Sequence, residues 1–118
     1  MSRGKEGPLT LGQFEHQVLM ALFRLQGEAY TVSVQDELKT RVGKNPALGT
    51  ISVTLSRLER RGLAESALGE AHPGRRGRPK RLYQLTALGA RALNQVHAMH
   101  RRLWEGLDRV PVGEGEKG

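Results

Sequence analysis

Apolar residues recur at helical intervals in four stretches of this chain and alternate in a fifth. Leu11, Phe14, Val18, Leu22 and Leu25 fall three or four apart, with Gln13, Gln17 and Arg24 between them. That spacing predicts an amphipathic first helix, capped by Thr10 and stopped at Gly27. Val34, Leu38 and Val42 predict a second, with Thr31 or Ser33 as cap and Gly43 and Pro46 as its end. A third runs from about Leu48 to Arg61, its inward face Leu48, Ile51, Leu55 and Leu58, and Gly62 supplies a left-handed stop. After Gly62 the period changes. Residues 63–68 and 81–85 read as two short strands, although Leu82 breaks strict alternation, and the Gly-, Pro- and Arg-rich stretch between them predicts a long hairpin loop. Thr86 then caps a last helix carrying Leu88, Ala92, Leu93, Val96, Met99, Leu103 and Leu107, roughly 30 Å long at 1.5 Å per residue.

The order helix, helix, helix, hairpin, helix predicts a mainly α chain with a small β-hairpin, an α+β fold. Three helices with a short turn between the second and third make a helix-turn-helix, and the hairpin is its wing. The expected organisation is a polar tail over residues 1–9, a winged helix-turn-helix over 10–85, a C-terminal dimerisation helix over 86–110 and a second tail over 111–118.

Composition narrows the partners. The 118 residues amount to one domain, and no apolar run approaches the roughly 20 residues of a membrane span. The first residues lead into no apolar signal segment, and cysteine is absent, which excludes disulfides and thiolate metal sites. A cytoplasmic protein is expected, without cofactor or membrane partner. The formal net charge of +7 points to a polyanion.

Two segments carry that charge in a form suited to double-stranded DNA. On the third helix, Thr50, Val53, Thr54, Arg57, Arg60 and Arg61 are expected on the side away from Leu55 and Leu58. Arginine bonds guanine bidentately, Ser and Thr bond bases or phosphates, and a Val or Thr methyl meets the thymine methyl. Backbone N–H groups at Gly49 and Thr50 offer a phosphate site. In the hairpin, Arg75, Arg76, Arg78, Lys80 and Arg81 fall within seven residues with no acid among them; fixed together, they repel one another until a phosphate backbone relieves them. Arg76-Gly77-Arg78-Pro79 also resembles the core of the AT-hook, in which arginine favours a narrow minor groove.

Leu48-Gly49-Thr50-Ile51 with the run from Leu55 to Leu63 resembles the recognition helix of PadR-like transcriptional regulators. The run Gly77-Arg78-Pro79-Lys80-Arg81-Leu82-Tyr83-Gln84-Leu85-Thr86-Ala87-Leu88-Gly89 is similar to that family's wing and the start of its last helix. The resemblance extends from about Leu11 to Leu107 and is to the short, single-domain subgroup. It implies a homodimeric, sequence-specific DNA-binding regulator of transcription, often a repressor relieved by a ligand. Where the family usually has Tyr-Pro, this chain has Ser52-Val53, so the contact made by the family's Tyr is either lost or reduced to the Ser52 hydroxyl. The family's paired wing aromatics are here Leu82 and Tyr83.

Dimerisation is expected through the first and last helices, at Leu11, Phe14, Val18, Leu93, Val96, Leu103, Trp104 and Leu107, because the last helix carries more apolar surface than so small a domain covers by itself. In some short members of that family an aromatic of this helix lines a pocket for planar ligands at the dimer centre, and by that resemblance Trp104, with His100 one turn before it, is the candidate contact for a small planar effector. His97 and His100 have a spacing that chelates metal, but no third ligand lies near in sequence, and no metal site is expected. No catalytic constellation is present: there is no Cys nucleophile and no phosphate-binding loop, so the chain is not expected to be an enzyme. Two other readings fit a basic winged helix, a protein-interaction module docking on acidic partners and a small basic RNA-binding protein. The second is weakened by an aromatic content of only 4%, since RNA binders stack bases on exposed rings.

Overall fold

A computed structural model describes residues 10–69 and 79–113. It contains α1 (Gln13–Leu25), α2 (Thr31–Val42), α3 (Leu48–Arg60), β1 (Ala64–Leu68), β2 (Arg81–Leu85) and α4 (Ala87–Trp104). This is the predicted α+β order. β1 and β2 pair antiparallel, from Ala64 opposite Leu85 to Leu68 opposite Arg81. Tyr83 also donates its backbone N–H to the Ala29 carbonyl at 2.8 Å, so the loop before α2 adds a one-residue third strand. The pairing ties the hairpin to the helical body.

Periodicity decided the core. Val18, Leu19 and Leu22 of α1, Val34 and Leu38 of α2, and Ile51, Leu55 and Leu58 of α3 are buried with Leu63, Ala64, Tyr83, Ala92 and Leu93. Burial of that many aliphatic side chains, each contributing about 1.5–3 kcal/mol, is what joins the helices. Helix ends follow local chemistry. Gly43 and Gly62 take positive φ after α2 and α3, as expected. Gly27 does too, but the left-handed path out of α1 already begins at Gln26. α1 is capped at Gly12 rather than Thr10: the Gly12 N–H donates to the Glu15 carboxylate at 3.0 Å. Tyr30 occupies the cap position of α2, and its N–H donates to Ser33 Oγ at 2.9 Å, so Ser33 serves from inside the first turn. Thr86 caps α4 as predicted, accepting from the Gly89 N–H at 3.0 Å.

Several expectations are corrected. Leu48 is exposed rather than inward, because it opens α3 before the helix meets its neighbours. Thr54 is 3% exposed, and its hydroxyl donates to the Thr50 carbonyl at 2.9 Å. Position 54 lies three after Ile51 and four before Leu58, on the core stripe, so it faces no external partner. Val18 and Leu93 are buried within this chain's own core and are not interface residues. α4 ends at Trp104, where Glu105 leaves helical geometry and Gly106 takes positive φ; Leu107 and residues 108–113 follow it outside any helix. Residues 1–9 and 114–118, expected as tails, lie outside the described residues.

Candidate nucleic-acid interface

The helix-turn-helix is assembled by contacts that periodicity does not show. Gln35 of α2 donates its side-chain amide to the Pro46 carbonyl at 2.8 Å, fixing the turn into α3. α3 starts at Ala47 without a side-chain cap. The first N–H to find a helical acceptor is that of Ile51, bonded to Ala47, so the N–H groups of Leu48, Gly49 and Thr50 are presented outward at the positive end of the helix dipole. Past that end, Thr50, Ser52, Val53, Arg57 and Arg60 all reach the surface. Val53 is 56% exposed between polar neighbours, an apolar side chain held in water that would meet a thymine methyl in a major groove.

Arg61, placed by sequence on this surface, has another role. It lies one residue beyond α3, and its guanidinium donates to the Glu15 carboxylate at 3.1 Å and to the Thr10 carbonyl at 2.7 Å. It pins the entry to α1 against the end of α3. Lys80 remains exposed, with its ammonium 4.5 Å from the centre of the Tyr30 ring at the start of α2. Arg81 is exposed too, but its guanidinium donates to Ser66 Oγ at 3.0 Å. Arg75, Arg76 and Arg78 lie outside the described residues. The charged fork in which Glu37 of α2 accepts from Arg24 at 2.8 Å and Arg41 at 3.1 Å was not legible in the pattern either; exposed pairs of this kind stabilise by about 0–1 kcal/mol.

The family model described as the transcriptional regulator PadR-like family matches residues 18–95. The chain belongs to that family. It is a DNA-binding transcription regulator of the winged-helix kind. No curated protein matches it. Among solved structures it is similar to a PadR-like transcription factor from Bacteroides fragilis, at 26% identity and a TM-score of 0.68, covering 80% of this chain and 85% of that one. A PadR-family regulator from Eggerthella lenta is similar at 27% identity and a TM-score of 0.58, covering 75% of each chain. RosR of H. salinarum shares the fold at 20% identity and a TM-score of 0.68, covering 85% of this chain and 83% of that one.

The outer half of α4 in this PadR-like chain lies largely beyond the matched residues, and it is bare. Met99, Leu103 and Trp104 are exposed on it, and Leu107, Val110 and Val112 are exposed in the segment after it, Leu103 and Leu107 by about two-thirds. Thr10 and Leu11 face Gln95, Val96, Ala98, Met99 and Arg102 across an open groove of about 440 Å³. Leu11 and Phe14 are half-buried against the core and Val96 is half-buried on α4. His100 is exposed, and it stands near enough to His16 of α1 for its charge, after burial, to hold the His16 imidazole below its ordinary value. Among the described residues no group of three or more His, Asp or Glu stands close enough to hold a metal, and no helix is long and apolar enough to cross a membrane.

Proposed function

We propose that this chain is a homodimeric repressor that reads a specific sequence in double-stranded DNA through α3 and the wing. The observation that carries the reading is the surface stripe Thr50, Ser52, Val53, Arg57 and Arg60, with free helix N–H groups at one end and Lys80 on the adjoining hairpin. Arg57 and Arg60 supply bidentate donors for guanine, Val53 the contact to a thymine methyl, and Thr50 and Ser52 hydroxyls for bases or phosphate. Arg75, Arg76 and Arg78 of the loop would add phosphate and minor-groove contacts.

The dimer reading rests on the uncovered apolar surface at the end of α4 and just after it. A second copy placed there buries Leu103, Trp104 and Leu107 and sets two recognition helices for successive half-sites. Repression follows from occupying the operator. A planar effector stacking on Trp104 beside His100 would lie in that same interface, where it alters the spacing of the two helices. The test is selection of binding sites from random duplexes, followed by competition with single-stranded DNA and RNA. A palindromic motif retained against both competitors is expected. Equal binding to all duplexes, or preference for RNA, would refute it.

A further inference from the structure

The hairpin carries two adjacent cations that face different surroundings. Lys80 lies over Tyr30, at the start of α2. Arg81 donates to Ser66 Oγ at 3.0 Å, and Ser66 Oγ in turn donates to the Glu59 carboxylate at 2.9 Å. Successive residues in extended chain point to opposite sides, which is why neighbours in sequence part company here. Ser66 stands opposite Tyr83 and Leu68 opposite Arg81, so Ser66 and Arg81 are diagonal neighbours on one face of the sheet. Glu59 also faces that side: after burial, its charge is the next cause holding the Tyr83 phenol above its ordinary value.

Glu59 is otherwise hard to account for. It sits in the last turn of α3, where the helix dipole disfavours a carboxylate, on a helix offered to a polyanion. Its use is to hold the wing. The hydroxyl of Ser66 accepts from one charged group and donates to the other, and a hydrogen bond to an ionised partner is stronger than a neutral one.

We infer that Arg81 is a positioning residue: through Ser66 and Glu59 it locks the wing to the recognition helix, and it does not contact phosphate. The inference rests on the DNA-binding reading above. Its test is the dependence of DNA affinity on salt, measured for wild type, Lys80→Gln, Arg81→Gln, Ser66→Ala and Ser66→Thr on the selected site, with thermal melting to confirm folding. Each phosphate that a variant no longer neutralises lowers the slope of log affinity against log salt by about 0.9. Lys80→Gln lowers the slope. Arg81→Gln weakens binding about two- to tenfold with the slope of wild type, and Ser66→Ala, which changes no charge, weakens it to a similar extent. Ser66→Thr restores affinity by restoring the hydroxyl. A slope lowered by Arg81→Gln, or a Ser66→Ala variant that binds like wild type, overturns the inference. Wild-type protein that fails to bind any duplex would refute the function itself, a separately visible result.

Discussion

Gly89 of α4 lies hard against the backbone of Leu63, and replacing it tests how α4 is seated. A Cβ built there would fall inside the contact distance of the Leu63 carbonyl oxygen, 3.0 Å from the carbonyl carbon and 3.2 Å from Leu85 Cδ2. Leu63 cannot give way cheaply, because that same carbonyl accepts from the Thr86 N–H at 3.2 Å and the Thr86 hydroxyl donates to the Gly62 carbonyl at 2.6 Å. Gly89→Ala must therefore lift α4 from the end of α3. Overpacking of this kind costs about 3 kcal/mol at the upper end. Alanine returns about 1 kcal/mol of helix propensity. The net loss of about 2 kcal/mol should lower the melting temperature by about 10 °C for a domain near 100 residues. Gly49→Ala is the paired control, since nothing lies within 4 Å of a Cβ at that helical glycine; it should raise the melting temperature by a few degrees, from about 0.5–1 kcal/mol. Both are melted at one protein concentration, because the proposed dimerisation would couple stability to it. A Gly89→Ala protein as stable as the Gly49→Ala protein would show that α4 does not rest on Leu63.

Leu103→Asp should convert the proposed dimer to monomer by placing an unpaired charge in its interface; sedimentation at micromolar concentration reads it, and a wild-type monomer under those conditions would end the dimer proposal. Arg57→Ala should weaken the best site by about 1–3 kcal/mol and flatten preference at one base pair; a selected motif unchanged from wild type would show that α3 does not read bases through Arg57. The lowered His16 value gives a pH dependence of defined sign: below 6.5 the unfolded chain binds a proton that the folded chain resists, so stability is full above that pH and declines as pH falls. Thermal melts between about pH 5.5 and 7.5, a window spanning the ordinary histidine value, should show the decline, and His16→Gln should flatten it.

The four helices and the two hairpin strands were legible from residue spacing, because burying one face of a helix or strand imposes a period that survives without knowledge of neighbours, whereas the Ala29 bridge to Tyr83 was not. Ile51, Leu55 and Leu58 announced the buried side of α3, and Gly43 and Gly62 the ends of α2 and α3, since only left-handed geometry was needed to place them. The family was legible too, in the runs around Leu55 to Leu63 and Gly77 to Gly89. The fate of individual side chains was settled by packing. Thr54 shares the helical spacing of Ile51 and Leu58, but a polar residue at that spacing gave no apolar signal, and only the folded chain shows it buried. Leu93 and Leu103 follow the same period, yet one meets the core while the other projects past it, because α4 outruns the body it packs on. Arg57, Arg61 and Arg81 are alike in sequence. One is exposed on the outward side of α3, one pins the start of α1, and one reaches Ser66. A charge run fixes how many cations a surface carries, whereas partners such as Glu15, 46 residues from Arg61, are brought near only when the chain closes on itself.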